Sequence, residues 1–127
     1  REFHRTHGGV ATLVLRDDPQ AARWGAVESD AQNRILRING RGLSHADSTG
    51  SPIERMFAGV HILHPSVLRD ALANTPFSII DSYTNELARG SVMFGMVHAG
   101  YWSDIGTVER YVHAQADAEE GLISLFP

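Results

Sequence analysis

The chain has 127 residues, a hydrophobic fraction of 43% and a formal net charge of −4, and all eleven of its basic residues are arginine. This length suits one domain that buries roughly two-thirds of its unfolded surface. The arginines are scattered, which argues against a nucleic-acid groove, and no apolar run approaches a membrane span, so neither nucleic acid nor a membrane is an expected partner. The absence of cysteine excludes disulfides and thiolate metal sites and fits a cytoplasmic protein.

The first third of the chain predicts three strands. Residues 10–15 are a short apolar run with β-branched side chains, bounded by Asp17-Asp18-Pro19. Residues 24–28 and 34–38 predict two further strands, which the polar turn 29–33 joins into a β-hairpin.

The middle of the chain is less regular. Residues 39–53 are rich in glycine, serine, aspartate and histidine and have no periodicity, so they predict a loop. Residues 57–63 predict a buried strand. Ser66 is then the candidate cap of a short helix that ends near Ala73.

The last third predicts a helix at 78–88 that Gly90 ends, a strand at 92–97 and a helix at 107–119. The first helix is amphipathic, with Ile79, Ile80, Tyr83 and Leu87 on one face. The second carries Val108, Tyr111, Val112 and Gln115 along one side. Strands that alternate with helices indicate a layered α/β fold, to which the hairpin adds an antiparallel element.

The most informative segment is Gly100-Tyr101-Trp102-Ser103-Asp104-Ile105-Gly106-Thr107, which follows the strand 92–97. Asp104 is the single carboxylate in a turn of apolar or small residues. A carboxylate without a basic neighbour in sequence needs a partner, often a metal ion or a nest of backbone amides. Asp104 can equally cap the turn, with Thr107 as the helix N-cap, and the residues alone do not separate these two roles.

This segment, with Glu109 and Tyr111 after it and Ala-Gly-Val-His-Ile-Leu-His-Pro at 58–65, resembles the sugar-nucleotide pyrophosphorylases. These nucleotidyltransferases join a nucleoside triphosphate (NTP) to a sugar 1-phosphate. The resemblance covers nearly the whole chain. Within the family, the chain is most similar to the bacterial members of the mannose-1-phosphate guanylyltransferase and glucose-1-phosphate thymidylyltransferase type. It implies the C-terminal part of a Rossmann-like nucleotidyltransferase domain, an α/β fold with a mixed sheet, flanking helices and a β-hairpin.

The resemblance also implies roles for individual residues. Asp104 matches the catalytic position that binds Mg²⁺, and the ion neutralises charge that builds on the phosphate oxygens during transfer. Four further positions match substrate-binding places, although Gly25 can also be a turn glycine, Gly59 a packing glycine and Arg41 a solvated loop residue. These four are Gly25, Arg41, Gly59 and Trp102. Where the family has Glu-Lys-Pro this chain has Gly40-Arg41-Gly42, so the glutamate is lost while Arg41 keeps a positive charge.

The family's Gly-rich phosphate loop and its first metal-binding aspartate have no match here, and the chain contains no lysine. Residues 1–127 are therefore expected to be a single, partial nucleotidyltransferase domain, the sugar-phosphate-binding half of a longer enzyme, and inactive alone. In the intact enzyme the partners are the NTP and the sugar 1-phosphate.

Two alternatives stay open: a non-catalytic module that keeps the fold and binds sugar phosphates, and an oligomerisation module. A half-domain with exposed sheet edges and apolar helix faces also predicts a homodimer. The expected interface consists of the apolar residues of strands 10–15 and 58–63 and the helix face of Ile79, Ile80, Tyr83 and Leu87.

Overall fold

The computed structural model describes residues 1–44 and 50–123. In chain order the elements are α1 (Glu2–His7), β1 (Ala11–Arg16), α2 (Ala21–Trp24), β2 (Ala26–Ser29), β3 (Ile35–Ile38), β4 (Arg41–Gly42), β5 (Ile53–Leu63), a 3-10 turn (Pro65–Leu68), α3 (Ile79–Ala88), β6 (Met93–Val97) and α4 (Val108–Glu119).

Within the described residues, six strands form one mixed sheet in the order β4-β3-β2-β5-β1-β6. The pair β1–β6 is parallel, and the other neighbouring pairs are antiparallel. The long strand β5 joins the two halves of the sheet, because its first residues pair with β2 and its later residues pair with β1. A mixed α/β fold with a β-hairpin was the sequence prediction, and it is confirmed.

The hairpin β2–β3 folds back onto the far edge of the sheet. Asp30 Oδ1 accepts the N–H groups of Gln32 and Arg34, which shapes the turn, and Asn33 adopts a φ of 62°. The Asn33 carbonyl then accepts the N–H of Gly95 on β6 at 2.8 Å. The sheet is therefore curled, with the hairpin turn lying against its last strand.

The core lies between the sheet and α3. Ser78 begins this helix as its N-cap, with its hydroxyl accepting the N–H of Ile80. Tyr83 and Leu87 are buried, and Ile79 and Ile80 pack beside them. The sheet side of this core consists of Ala11, Leu13, Leu15, Val27, Ile35, Ile38 and Met93.

Three local predictions are corrected. The segment 39–53 is not a loop throughout, because β4 pairs with β3 and β5 already begins at Ile53; positions 45–49 lie outside the described residues. Residue 24 ends α2 rather than beginning a strand. The short helix after β5 is a 3-10 turn whose N-cap is His64, since His64 Nδ1 accepts the N–H of Ser66.

The side of α4 that carries Val108, Tyr111 and Val112 faces solvent. The exposed fractions are 75% for Val108, 56% for Tyr111 and 57% for Val112. The expected dimer interface is wrong in part, because Leu13, Leu15, Tyr83 and Leu87 are buried within the chain and are unavailable to a partner, whereas Val60 of β5 is exposed.

Candidate functional site

Two adjoining hollows of about 450 and 410 Å³ lie where the loop after β6 crosses the middle of β5. They share Met56, Trp102, Ser103 and Asp104. The larger hollow is otherwise lined by Arg16, Asp18, Pro19, Gln20, Arg110 and His113, and the smaller by Phe57, Ala58, Gly59 and Ile105.

Trp102 fastens the loop to the sheet. Its indole N–H donates to the carbonyl of Ala58 on β5 at 3.1 Å. The Arg16 guanidinium lies 5.9 Å from the centre of the Trp102 ring and donates to the carbonyls of Gly100 at 2.5 Å and His98 at 3.3 Å. Strands β1 and β5 thus both hold the segment that carries Asp104.

Tyr101 ties the same segment to α4. Its hydroxyl donates to Asp117 at 2.7 Å, and this hydrogen bond raises the pKa of Tyr101 above its ordinary value. The helix itself begins at the N-cap Thr107, whose hydroxyl accepts the N–H of Arg110. The predicted helix N-cap, Thr107, is therefore present.

Both oxygens of Asp104 have partners in the protein. Oδ1 accepts the N–H of Gly106 at 2.9 Å, which closes a local turn. Oδ2 forms an ion pair with the Arg110 guanidinium, and both side chains are about 40% exposed. The carboxylate thus has a local turn role and at the same time faces the larger hollow.

Asp104 suits a hard divalent cation only as one ligand among several. Among the described residues, no three His, Asp or Glu side chains are grouped so that they could hold a metal ion. Mg²⁺ is commonly bound through one or two carboxylates together with water and substrate phosphates. The Asp104 carboxylate at the wall of an open hollow, which Asp18 also lines, fits that mode of binding.

The structure brings together three of the five residues predicted for the site. Gly59, Trp102 and Asp104 line the hollows. Gly59 has a φ of 78°, and a Cβ added there would point into open space, so the backbone is open to a ligand.

The other two residues lie off the lining of these hollows. Gly25 is covered by a side chain, since a Cβ there would meet Asn39 Oδ1 at 2.7 Å. Arg41 forms an ion pair with Asp81 of α3 at 2.8 Å. Substrate-binding roles for these two residues remain predictions.

Two arginines of the larger hollow were missed from the sequence. Arg16 ends β1 and Arg110 lies in the first turn of α4. The available signal for Arg110 was its spacing: a basic residue in the first helical turn, six positions after a lone carboxylate, can fold back to it. No comparable signal existed for Arg16, because its role depends on the pairing of β1 with β6.

The sequence profile of the family "Nucleotidyl transferase" matches residues 2–121. The chain therefore belongs to the nucleotidyltransferase family, as its resemblance predicted. Within the described residues, no helix combines the length and the apolar character that crossing a bilayer requires.

Among curated relatives, mannose-1-phosphate guanylyltransferase 1 of Arabidopsis thaliana is 27% identical over 112 residues, and mannose-1-phosphate guanyltransferase of Pichia angusta is 29% identical over 117 residues. Each comparison covers 87% of this chain but only 29% of the relative.

Among solved structures, a Bacillus anthracis protein described as a glucose-1-phosphate thymidylyltransferase superposes with a TM-score of 0.68. It is 20% identical and covers 99% of this chain, which spans 49% of that protein. At this identity the likeness concerns the fold, and it agrees with the mixed sheet and flanking helices described above.

Proposed function

We propose that this chain is the sugar-phosphate-binding half of an enzyme that makes a nucleoside diphosphate sugar. In that reaction a phosphate oxygen of the sugar 1-phosphate attacks the α-phosphorus of an NTP. The bond from that phosphorus to the bridging oxygen breaks, and pyrophosphate leaves. The observation that carries the proposal is the meeting of Gly59, Trp102 and Asp104 at two adjoining hollows, in a chain of the nucleotidyltransferase family.

The five predicted site residues have different roles in the proposed reaction. Asp104 would hold Mg²⁺, which when bound neutralises charge on the phosphate oxygens. Trp102, fixed by the Ala58 carbonyl, forms an apolar wall for the sugar ring. Gly59 leaves its backbone open to the sugar, and Arg41 and Gly25 are proposed to complete the site when substrate is bound.

The chain alone is proposed to be inactive. It contains no lysine, and it lacks the Gly-rich loop through which related enzymes present backbone N–H groups to the triphosphate. The chain also spans 29% of the length of the curated relatives cited above. The remaining contacts to the nucleotide are assigned to the other part of the enzyme.

The test uses a full-length enzyme that contains this chain. Pyrophosphate release is measured with a panel of NTPs and hexose 1-phosphates, for the wild type and for Asp104→Asn. Asparagine keeps the size of the side chain and the acceptor for Gly106, but it weakens the metal ligand, so we expect kcat to fall on the order of 100-fold or more while the fold is retained.

Asp70→Asn is the matched control, because Asp70 is paired with Arg89 away from the hollows and should keep wild-type kcat. Near-normal kcat for Asp104→Asn at saturating Mg²⁺ would reduce Asp104 to a turn residue. Absence of pyrophosphate release with every substrate pair would favour a non-catalytic sugar-phosphate-binding or oligomerisation module instead.

A further inference from the structure

The carboxylate that the proposed reaction assigns to a metal ion is already paired with an arginine. Asp104 Oδ2 and Arg110 Nη1 form an ion pair, and both side chains belong to the wall of the larger hollow. The proposed ligand of a cation thus has a positively charged group of the chain on the oxygen that the cation would use.

This pairing follows from the local fold. Thr107 fixes the first turn of α4 by accepting the N–H of Arg110, which sets the direction of the Arg110 side chain. The Gly106 N–H holds Asp104 Oδ1, so the second oxygen is turned towards the guanidinium. Because these contacts use the backbone of residues 106 and 110, they remain when the Arg110 side chain is changed.

We propose that Arg110 is a positioning residue that holds Asp104 in the metal-free state and opposes the binding of a divalent cation by Asp104. The inference rests on the proposed role of Asp104 as a metal ligand. Guanidinium and cation compete for the same carboxylate oxygen, and their like charges repel each other. Pairing with Arg110 and binding of the cation therefore oppose each other at Oδ2.

The displaced guanidinium has a second use close by. Arg110 lines the same hollow as Arg16 and His113, and arginine binds phosphate oxygens with a planar pair of donors. Release of Arg110 from Asp104 thus offers a cationic side chain to the phosphate groups of the substrates in that hollow. The two events are an exchange of partners within one hollow.

The test measures Mn²⁺ binding to the full chain by electron paramagnetic resonance, with Mn²⁺ alone as the probe. A partly exposed ion pair contributes little stability, roughly 0.2–1 kcal/mol, which corresponds to a factor of about 1.4–5 in binding. We therefore expect Arg110→Gln to lower the half-saturating Mn²⁺ concentration about threefold. Thermal unfolding of each variant checks that it is folded.

Arg5→Gln is the matched control. It makes the same change in net charge on α1, where Arg5 is exposed and pairs with Glu2, and it should leave Mn²⁺ binding unchanged. Equal Mn²⁺ binding by Arg110→Gln and the wild type, or no binding by Arg110→Gln, would show that Arg110 does not compete for the site.

Adding Asp104→Asn to Arg110→Gln separates this inference from the proposed function. Loss of Mn²⁺ binding in the double variant is the expected result, because Asp104 is then the ligand. If the double variant still binds Mn²⁺ at the same concentration, Asp104 is not the ligand, and the proposed metal role fails together with the inference. If Asp104→Asn abolishes binding but Arg110→Gln has no effect, only the inference about Arg110 is overturned.

Discussion

Trp102 and Asp104 are two residues apart but are held by different parts of the fold. The indole of Trp102 is fixed by the Ala58 carbonyl of β5, whereas Asp104 is fixed by Gly106 and by Arg110 of α4. The position of the carboxylate relative to the sheet therefore depends on the hydrogen bond made by Trp102, together with the contacts of Arg16 to the same loop.

Replacement of Trp102 by phenylalanine tests this anchor. The change removes the indole donor and leaves the Ala58 carbonyl without it, so we expect the free energy of unfolding to fall by about 1 kcal/mol. Urea unfolding followed by circular dichroism measures the effect. Tyr101→Phe is the control, because it removes an exposed hydrogen bond to Asp117 and, as a surface substitution, should lower the free energy of unfolding by no more than about 0.5 kcal/mol. Equal losses in the two variants would mean that Trp102 is not the principal anchor.

At this scale the sequence could point to Asp104, Trp102 and Gly59, because each belongs to a short motif with little freedom in spacing. The spacing allowed Arg110 to reach Asp104, but it did not fix the pairing, which depends on how the turn at Gly106 directs the first turn of α4. Nor could the sequence place Asn39 against Gly25, since that contact requires the hairpin to be formed.

Among the elements, α3 combines an apolar face with a buried carboxylate. Glu86 is fully buried, accepts from the Ser91 hydroxyl at 2.6 Å and from Arg89 at 3.0 Å, and is paired with Arg69 at 3.3 Å. Burial by itself would raise the pKa of Glu86, but the hydrogen bonds from Ser91 and Arg89 and the two positive charges outweigh it. The pKa of Glu86 is therefore lowered from its ordinary value.

Glu86→Gln should lower the free energy of unfolding by about 2 kcal/mol at pH 7, because the charge-assisted hydrogen bonds of a buried carboxylate with Ser91 and Arg89 are weakened. Because the pKa is lower in the folded chain, the stability contributed by Glu86 is fully present above its ordinary value of 4.5 and is lost as the pH falls through the lowered value.

Urea unfolding at pH 7 and pH 3 checks this prediction. The difference between wild type and Glu86→Gln should shrink at the lower pH. As a control, Asp70→Asn, at a partly exposed position, should lower the free energy of unfolding by less than about 0.5 kcal/mol. A difference that stays constant between the two pH values would contradict the assigned ionisation.

At the scale of elements the longer segments could be predicted, because α3 and α4 each have a helical period and a serine or threonine cap. The shorter ones could not. Helices α1 and α2 have six and four residues, too few for a period to show. The beginning of β5, Ile53–Arg55, includes two charged residues and no apolar run, and it pairs with β2.

For the whole molecule, self-association remains a prediction, but its expected surface changes. Val108, Tyr111 and Val112 form an exposed apolar face on α4, and apolar faces of this kind are usually covered, often by a twofold dimer. We expect the chain to dimerise at micromolar concentration and Val112→Glu to remain monomeric, as measured by light scattering.

Leu72→Glu is the control for this prediction, because it places the same charge at another exposed apolar residue outside α4 and should leave the dimer intact. A monomeric wild type with a cooperative thermal transition would contradict the prediction and indicate that the chain is a self-sufficient domain.

The hairpin turn that lies against β6 has a consequence for hydrogen exchange. The Gly95 N–H donates to the Asn33 carbonyl, whereas outward N–H groups of an edge strand ordinarily meet water. The Gly95 amide should therefore exchange slowly only while the turn is docked. Asp30→Ala removes the acceptor of the Gln32 and Arg34 amides and should destabilise the docked turn by about 1 kcal/mol. Hydrogen exchange at Gly95 should then become about fivefold faster, while exchange of the central Leu13 amide should not change. One backbone proton on the last strand thus reports whether the sheet is curled or open.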